Sequence, residues 1–533
     1  MIYKLHPVLL VLYPFLQTLA NNRMDVSFSQ TLLPLAAVSV FTAVFAAASY
    51  AVYRCSAKAA IATSLFIFIF FSYGHVEDMV FNTFKNANDV ILVFSALIIF
   101  IIAALKIKEA PAPAVDNANM AISAFAAVLV FMPAFLIASD AHIDYSHKAQ
   151  LSGTFEDAAF DADKLDRAAL PNIFHVCLDE YGRQDVMNEI YKLDVSEFTD
   201  FLRKKGFFVA DKSRCNYCYT DLSLLSTLNM SYLDKMVEKF DMAASRERSL
   251  AAKKLIWNNA VFRAAKKAGY KIITFNSGEL YTSITDADVH YSPFSGVYYN
   301  AFYVNMLINL TPLPVIFSAA GADPYMFHDP AANHRKIVML PFEKIGEIID
   351  SANASGSPVL ACLWVDSPHP PFVFDAAGNP VVALKKGAAA IDRWAIESEK
   401  DRGDYIVNYR NQLTFITRKA AGLIDQIIKN SKRPPVILLQ SDHGPASRFE
   451  FETMPSDPLT FRERFGILNA YYFGGKPAAS IAASAGLHEA ITPVNSFRIV
   501  FNLYFGANLK LLKDECFHST WLAPYKFTNV SDR

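Results

Sequence analysis

The pair Asp442-His443 places an oxygen ligand and a nitrogen ligand for a divalent metal on adjacent residues. It follows the apolar run 436–440, which predicts a short strand buried on both faces, and precedes Gly444, where the backbone can turn sharply. Ligands gather beyond the carboxyl ends of strands in an α/β sheet. The pair is therefore either half of a metal site or a loop with a solvated Asp and a hydrogen-bonded His.

Asp179, with Glu180 beside it, follows a second predicted strand at 172–178. A carboxylate at that strand end could complete a ligand set with the first pair. The alternative role is a helix N-cap or a surface acid, because acids are common just after strands.

Thr220 precedes a helix that is predicted to begin around Asp221. A hydroxyl there meets the positive helix end, which favours an anionic group. A free threonine hydroxyl is a poor nucleophile, and metal coordination lowers its pKa. The alternative role of Thr220 is a simple N-cap.

His369 lies in the proline-rich loop 367–372, after a predicted strand at 358–365. Prolines on both sides hold this loop stiffly, which suits an imidazole that meets a substrate oxyanion or a leaving group. The alternative is a packed turn histidine.

Strands that alternate with helices from residue 171 onward predict an α/β domain with a mostly parallel sheet and helices on both faces. A parallel sheet would bring Asp179, His369 and Asp442-His443 to one edge. The predicted strands are 172–178, 206–210, 270–275, 358–365 and 436–440, and the predicted helices are 195–205, 258–268, 333–352 and 404–430.

The first 140 residues carry most of the apolar excess of a chain that is 53% hydrophobic. Their apolar stretches approach the ~20 residues needed to cross a bilayer, so we expect about five transmembrane helices. The stretches are 7–21, 31–53, 59–75, 90–105 and 120–139. The first resembles a signal-peptide core but lacks an Ala-x-Ala cleavage site, and we expect it to be retained.

The Lys and Arg placement orients this domain, because basic residues concentrate on the cytoplasmic side of a membrane. An inside N-terminus puts five basic residues inside and two outside, so the chain after residue 140 lies outside the cytoplasm. The inner residues are Lys4, Arg54, Lys58, Lys106 and Lys108, and the outer residues are Arg23 and Lys85.

The expected organisation is a membrane domain at 1–140, a juxtamembrane linker at 141–170 and an extracytoplasmic catalytic domain at 171–533. A formal charge of −1 argues against a general nucleic-acid binder. Six cysteines do not make a disulfide scaffold. Cys215 and Cys218 form either a local disulfide or two unpaired thiols.

Residues 171–525 resemble the sulfatase-type branch of the alkaline phosphatase superfamily. Within it they resemble membrane-anchored lipoteichoic acid synthases, lipid A phosphoethanolamine transferases and sulfatase-like bacterial relatives. The segments that carry the resemblance are Asn172–Arg183, Asn216–Asn229, Pro368–Asp375, Ser441–Gly444, Phe465–Ala470 and Ile491–Arg498.

The resemblance implies that Asp179, Thr220, Asp442 and His443 bind one divalent ion, with Zn or Mn favoured and Mg or Ca as alternatives. It also implies that Thr220 is the nucleophile. The acidic ligand in such transferases is usually Glu, so Glu180 is the alternative to Asp179.

The implied role of His369 is to stabilise the transferred group or to assist the leaving oxygen. Arg183 and Arg448 are candidates for anion contacts on charge and location, with surface arginine as the alternative. Neither Cys215 nor Cys218 begins the Cys/Ser-x-Pro-x-Arg motif that sulfatases oxidise to formylglycine, which disfavours classical sulfate-ester hydrolysis.

The function implied is transfer of a phosphoglycerol-type or phosphoethanolamine-type group from a membrane phospholipid, through Thr220, to a glycan or glycolipid hydroxyl. The location implied is the bacterial inner (plasma) membrane. The first alternative is a sulfatase-like or phosphodiesterase-type hydrolase. The second is a catalytically silent membrane sensor or assembly protein.

Overall fold

The structure is a computed structural model. It describes residues 4–22, 26, 28–84, 88–151, 154–240, 242, 250–278, 281–293, 301–322, 330–381, 396 and 398–533. The chain divides into two compact units, Met1–Tyr145 with Phe294–Pro330 and Ser146–Pro293 with Ala331–Arg533. The boundaries expected from sequence lie near 140 and 170. They leave the second segment of the first unit, Phe294–Pro330, in the catalytic domain.

The elements of both units follow one another in chain order. The helices are α1 (His6–Asn21), α2 (Phe28–Tyr53), α3 (Ser56–Thr83), α4 (Asp89–Glu109), α5 (Ala112–Leu151), α6 (Gln184–Glu189), α7 (Ser196–Lys204), α8 (Thr220–Asn229), α9 (Asp234–Lys239), α10 (Leu250–Trp257), α11 (Ala260–Lys267), α12 (Ala301–Asn309), α13 (Leu313–Ala319), α14 (Pro330–Ala354), α15 (Glu399–Asn430), α16 (Pro458–Phe465), α17 (Ala478–Ala485) and α18 (Ser496–Phe505). The strands are β1 (Ile173–Leu178), β2 (Phe208–Val209), β3 (Lys271–Phe275), β4 (Val289–Tyr291), β5 (Val359–Val365), β6 (Val436–Gln440), β7 (Asn469–Phe473), β8 (Phe517–Thr520) and β9 (Ala523–Asn529).

The first unit contains the five helices that the apolar stretches predict. In the part of the chain that the structure describes, four of them, α2 to α5, are long and apolar enough to cross a membrane. Helix α1 has 16 residues with Pro14 inside it, which is shorter than a membrane span requires. The first predicted span, 7–21, is therefore present as a helix with nearly the expected bounds, and its residues Leu10 and Phe15 are buried in the unit's interior.

The second unit is built on a sheet whose described strands have the order β2-β7-β6-β1-β5-β3-β4. β1 pairs in parallel with β5 and β6, and β3 pairs in parallel with β4 and β5. β7 runs antiparallel to both of its neighbours. The prediction of a mostly parallel sheet is confirmed, and each predicted strand is present, although 206–210 shortens to β2.

Helices cover both faces of this sheet, as the alternation along β1 illustrates. Phe174, Val176 and Leu178 join the core on the face that α7, α14 and α15 cover. His175 points to the opposite face, where its ring centroid lies 5.3 Å from that of Phe497 on α18. Every residue of β1 is buried, as expected for a central parallel strand.

The central strands end together at one edge of the sheet. Leu178, the last residue of β1, pairs with Val365, the last residue of β5, and Cys177 pairs with Gln440 at the end of β6. The residues that follow these three strands therefore start from neighbouring positions. The sequence prediction of one shared edge for the strand-end residues is confirmed.

Candidate active site

Hydrogen bonds from neighbouring segments fix the backbone of Asp442 and His443 directly after β6. The Ser441 hydroxyl donates to the His443 carbonyl at 2.8 Å and accepts from the Tyr181 amide at 2.8 Å. The Ser223 hydroxyl, on α8, donates to the Asp442 carbonyl at 2.7 Å. The end of β6 is thereby tied to the end of β1 and to α8.

Thr220 is the first residue of the ten-residue helix α8, and Tyr219 occupies the N-cap position. Thr220 Oγ1 lies 3.0 Å from His443 Nε2, and this hydroxyl also hydrogen-bonds the Asp442 carboxylate. Thr220 is partly exposed, whereas Asp442 and His443 are buried. The hydroxyl does not cap its helix; it faces the residues that follow β6.

Asp179, rather than Glu180, faces the residues after β6. Asp179 Oδ1 lies 3.9 Å from His443 Nε2. One ligand atom each from Asp179, Asp442 and His443 lie within 4.8 Å of one another. Glu180 has a left-handed backbone, with φ of 62°, and its Oε1 instead accepts a hydrogen bond from Arg464 at 2.8 Å.

The donor set fits a divalent cation. His443 Nδ1 lies 3.2 Å from the Gly444 carbonyl, so we infer that Nδ1 carries the proton and that the Nε2 lone pair faces Thr220. Burial raises the pKa of the Asp442 carboxyl, because a charged carboxylate is costly in a water-poor pocket. A bound cation would relieve that penalty, and carboxylates with a neutral imidazole are ligands that Zn and Mn accept.

His369 is brought to the same edge by the loop after β5. The His369 amide donates to the Asp179 carbonyl at 3.2 Å, and Gln412 Nε2 donates to the His369 carbonyl at 3.0 Å. The His369 ring centroid lies 6.4 Å from that of His443, and its side chain is 18% exposed. The ring also hydrogen-bonds the Pro370 carbonyl through Nδ1. An imidazole that is held in place and partly exposed can meet a ligand at this edge of the sheet.

Two polar residues that sequence reasoning missed lie behind His369. Asp366 Oδ1 is 3.7 Å from His369 Nδ1, and Asp366 Oδ2 is 3.7 Å from His334 Nδ1. Burial lowers the pKa of His334 to about 3, so His334 is neutral at neutral pH. His334 lies inside a predicted helix and belongs to no motif, so the sequence gives no signal for it.

Arg464, on α16, is the most consequential residue that sequence reasoning missed. It is 2% exposed, and its guanidinium joins three segments of the site. It donates to Cys218 O at 2.9 Å, to Glu180 Oε1 at 2.8 Å and to Gly444 O at 2.8 Å. One of these partners lies two residues before the candidate nucleophile, and the other two adjoin candidate ligands. A single side chain thus links the segments that carry Asp179, Thr220 and His443.

Glu463, next to Arg464, holds the loop that leaves the site. Its carboxylate accepts from the Ser447 amide at 3.2 Å and from the Arg448 amide at 3.0 Å. Burial raises the pKa of Glu463 to about 7.

The turn directly after the candidate ligands admits only glycine. A Cβ added at Gly444 would lie 2.0 Å from the Glu463 carbonyl oxygen, so no side chain fits there.

The two arginines and two cysteines that the sequence analysis considered have the following environments. Arg183 pairs with Asp185 at 2.6 Å, and Arg448 is exposed. Cys215 and Cys218 are buried thiols that each donate to a backbone carbonyl, so the alternative of a local disulfide is not observed.

No protein-family model matches this chain, and no curated protein is similar to it in sequence. Several solved structures are similar to it at low sequence identity. One is the C-terminal periplasmic domain of EptC from Escherichia coli, in complex with Zn, with 13% identity over 69% of this chain and 94% of that chain and a TM-score of 0.43. Another is the integral membrane lipooligosaccharide phosphoethanolamine transferase A of Neisseria meningitidis, with 11% identity over 94% of this chain and 95% of that chain and a TM-score of 0.40. The phosphonate monoester hydrolase of Agrobacterium radiobacter has 12% identity over 65% of this chain and 80% of that chain, with a TM-score of 0.39. These likenesses are distant and assign no function to this chain.

Proposed function

We propose that this protein transfers a phosphoglycerol-type or phosphoethanolamine-type group from a membrane phospholipid to a hydroxyl of a glycan or glycolipid. The group is carried in between on Thr220. The observation that supports this most directly is the placement of the Thr220 hydroxyl, 3.0 Å from His443 Nε2 at a helix N-terminus. A partly exposed hydroxyl beside buried acidic and imidazole groups is suited to nucleophilic catalysis.

Asp179, Thr220, Asp442 and His443 would hold one divalent ion, Zn or Mn in preference to Mg or Ca. When bound, such an ion acts as a Lewis acid that lowers the pKa of a hydroxyl and offsets the negative charge of a phosphate. Glu180 is not proposed as a ligand, because its carboxylate is engaged by Arg464.

The residues of the chain supply the rest of the chemistry. Thr220 Oγ1 attacks the phosphorus, an O–P bond forms, and the bond from phosphorus to the diacylglycerol oxygen breaks. Diacylglycerol leaves with a proton, which balances the proton that Thr220 loses. The N-terminus of α8 faces the phosphate, and His369 hydrogen-bonds the transferred group or protonates the leaving oxygen. The acceptor hydroxyl then attacks the same phosphorus, and Thr220 recovers its hydroxyl.

The proposed location is the bacterial inner membrane, with the second unit outside the cytoplasm. Four helices of sufficient length and apolarity support this placement, and the basic residues between them favour the orientation. The lipid donor would then lie in the same bilayer as the enzyme. A hydrolase would share the first chemical step and differ only in passing the group to water.

The proposal is tested with the full-length protein in phospholipid vesicles that contain phosphatidylglycerol and phosphatidylethanolamine with isotope-labelled head groups. Acid quenching and peptide mass spectrometry are expected to find a labelled phospho-adduct on Thr220. Addition of a glucosyl diacylglycerol or a lipid A acceptor is expected to accelerate the loss of this adduct. Heat-denatured protein serves as the control and should carry none. Absence of any adduct contradicts the proposal, and an adduct that only water removes, at a rate no acceptor changes, supports the hydrolase.

Metal analysis shows whether Asp179 or Glu180 is the acidic ligand. It also tests the alternative of a catalytically silent membrane sensor or assembly protein. Asp179→Asn is expected to lower the divalent metal content at least about tenfold after dialysis, because it removes a proposed ligand charge. Glu180→Gln keeps an oxygen acceptor for Arg464 but removes the charge that pairs with it, so it is expected to be less stable and, in its folded fraction, to keep the wild-type metal stoichiometry. Hydrogen exchange of β1 and β6 measures that fraction. Elemental analysis of the purified full chain measures both. A wild-type protein that holds no divalent ion would favour the silent sensor, and loss of metal in Glu180→Gln alone would reverse the ligand assignment.

A further inference from the structure

A long uncharged segment interrupts the second unit. Between His290 and Asp323 the sequence contains no Asp, Glu, Lys or Arg, although 19% of the whole chain is charged. Helices α12 and α13 lie in this segment. A stretch of this composition inside a water-soluble α/β domain is unusual, because such a domain keeps charged residues on its exposed helix faces.

The structure groups this segment with the N-terminal helices rather than with the sheet. Tyr303 and Leu307 of α12 are buried in a cluster with Phe15 and Leu19 of α1. These contacts are apolar and lie in the interior of the first unit. The segment is therefore an integral part of that unit.

The loop between α12 and α13 makes an unusually close backbone approach to α3. The Gly74 amide donates to the Leu310 carbonyl at 3.1 Å, and a Cβ at Gly74 would lie 2.1 Å from the Asn309 carbonyl oxygen. Thr311 donates its hydroxyl to the Ile308 carbonyl at 2.6 Å. The Leu310 and Ile308 carbonyls are thus hydrogen-bonded within the unit, as an apolar surrounding requires.

The contacts of this segment lie at one end of the helix bundle. Leu19 lies near the C-terminal end of α1 and Gly74 lies in the C-terminal half of α3, and both helices have their basic residues, Lys4 and Lys58, at the opposite end. The end that they mark is the extracytoplasmic end in the proposed orientation.

The protein covers the apolar side chains of helix α13 only in part. It packs near α4, on which no residue is buried. No residue of α13, which is described in full, is buried, and Ile316 is 43% exposed. The exposed apolar surface of α13 therefore continues that of a candidate membrane span.

We propose that Ala301–Ala322 is a helical hairpin embedded in the extracytoplasmic leaflet of the bilayer, with phospholipid acyl chains as the partner of α13. The nine residues of α12 and the seven of α13 span roughly 13 and 10 Å, which is too short to cross a hydrocarbon core of about 30 Å. The hairpin therefore enters and leaves the membrane on the same side. The inference rests on the membrane location given under the proposed function and is independent of the chemistry.

The test uses the full-length protein in phosphatidylethanolamine–phosphatidylglycerol vesicles that contain a phospholipid with a diazirine in one acyl chain. After irradiation, peptide mass spectrometry is expected to find lipid adducts on 301–322 at a yield within about threefold of that on α4. Val407 and Leu522 are internal controls, because they are apolar side chains of the second unit with 55% and 61% exposure. They are expected to carry at least tenfold fewer adducts.

Two results would overturn the hairpin assignment. The first is labelling of α4 while 301–322 is labelled no more than Val407. The second is cross-linking of 301–322 to another copy of the chain without lipid adducts, which would show a protein partner. Absence of adducts on α4 itself would instead refute the membrane location, so the two failures are distinguishable.

A pair of variants tests the face of α13 directly. Ile316→Lys is expected to lower the labelling of 313–319 several-fold, because a charged side chain withdraws from hydrocarbon. Val407→Lys, the matched change in the second unit, is expected to leave it unchanged. Labelling of α4 in each variant confirms insertion, and equal labelling of 313–319 in both variants would contradict the proposed lipid-facing side.

Discussion

Replacing Thr220 with alanine is expected to reduce phospho-group transfer by at least about a thousandfold, because removal of a catalytic nucleophile has effects of that size or larger. The change deletes one partly exposed hydroxyl and leaves the start of α8 and the buried groups after β1 and β6 in place. The protein is therefore expected to fold normally. Thr220→Ser, which retains a hydroxyl at the same position, is expected to keep measurable activity and to form the covalent adduct.

Release of diacylglycerol from labelled phospholipid, measured as an initial rate, reports the first chemical step in all three proteins. Hydrogen exchange of β1 and β6 confirms that the fold is unchanged. A Thr220→Ala protein with more than about a tenth of the wild-type rate, or with an adduct on another residue, would show that Thr220 is not the nucleophile.

Replacing Arg464 with methionine is expected to destabilise the second unit by about 3–5 kcal/mol, the usual result of removing one partner from a buried ion pair. Glu180 and Arg464 are each 2% exposed, so the remaining carboxylate would lose its buried cationic partner and, among the residues that the structure describes, keep only the Tyr405 hydroxyl as a side-chain donor within 3.5 Å. The carbonyls of Cys218 and Gly444 would also lose their donor. Arg464→Met is therefore expected to lower the free energy of unfolding of the second unit and to displace the residues of the site.

The double variant Glu180→Gln/Arg464→Met is expected to recover part of the lost stability, because no uncompensated charge is left in the interior. The measurement is the free energy of opening of β1 and β6, obtained from hydrogen exchange in the full chain. It avoids the assumption that a two-unit protein unfolds in one step. Equal protection of these strands in the wild type and Arg464→Met would contradict the proposed role of Arg464.

The parts of the site that sequence reasoning anticipated are those that strand periodicity and helix chemistry determine locally. The apolar run 436–440 is β6 with the predicted bounds, and Asp442 and His443 follow it at the sheet edge. Thr220 starts α8, one residue before the expected helix. Hydrophobic pattern and strand direction suffice to bring such residues together.

The rest depends on backbone angles and long-range contacts that leave no local signal. Asp179 and Glu180 are adjacent acids, and the left-handed φ of Glu180 decides which of them faces the site. Arg464 stands in a charged, amphipathic helix where an arginine is ordinarily at the surface. The uncharged segment 301–322 follows several predicted strands and helices of the soluble domain, so its grouping with the N-terminal helices could be seen only in three dimensions.

The discontinuity of the second unit also dictates an order of biosynthesis. β1 is made early, but both of its sheet neighbours, β5 and β6, are encoded after the hairpin. A ribosome that has reached residue 330 has therefore produced the central strand with both edges unpaired, a state prone to misassociation. About one hundred further residues must be synthesised before β6 can pair with β1, so the proposed hairpin would be inserted into the membrane before the sheet is complete.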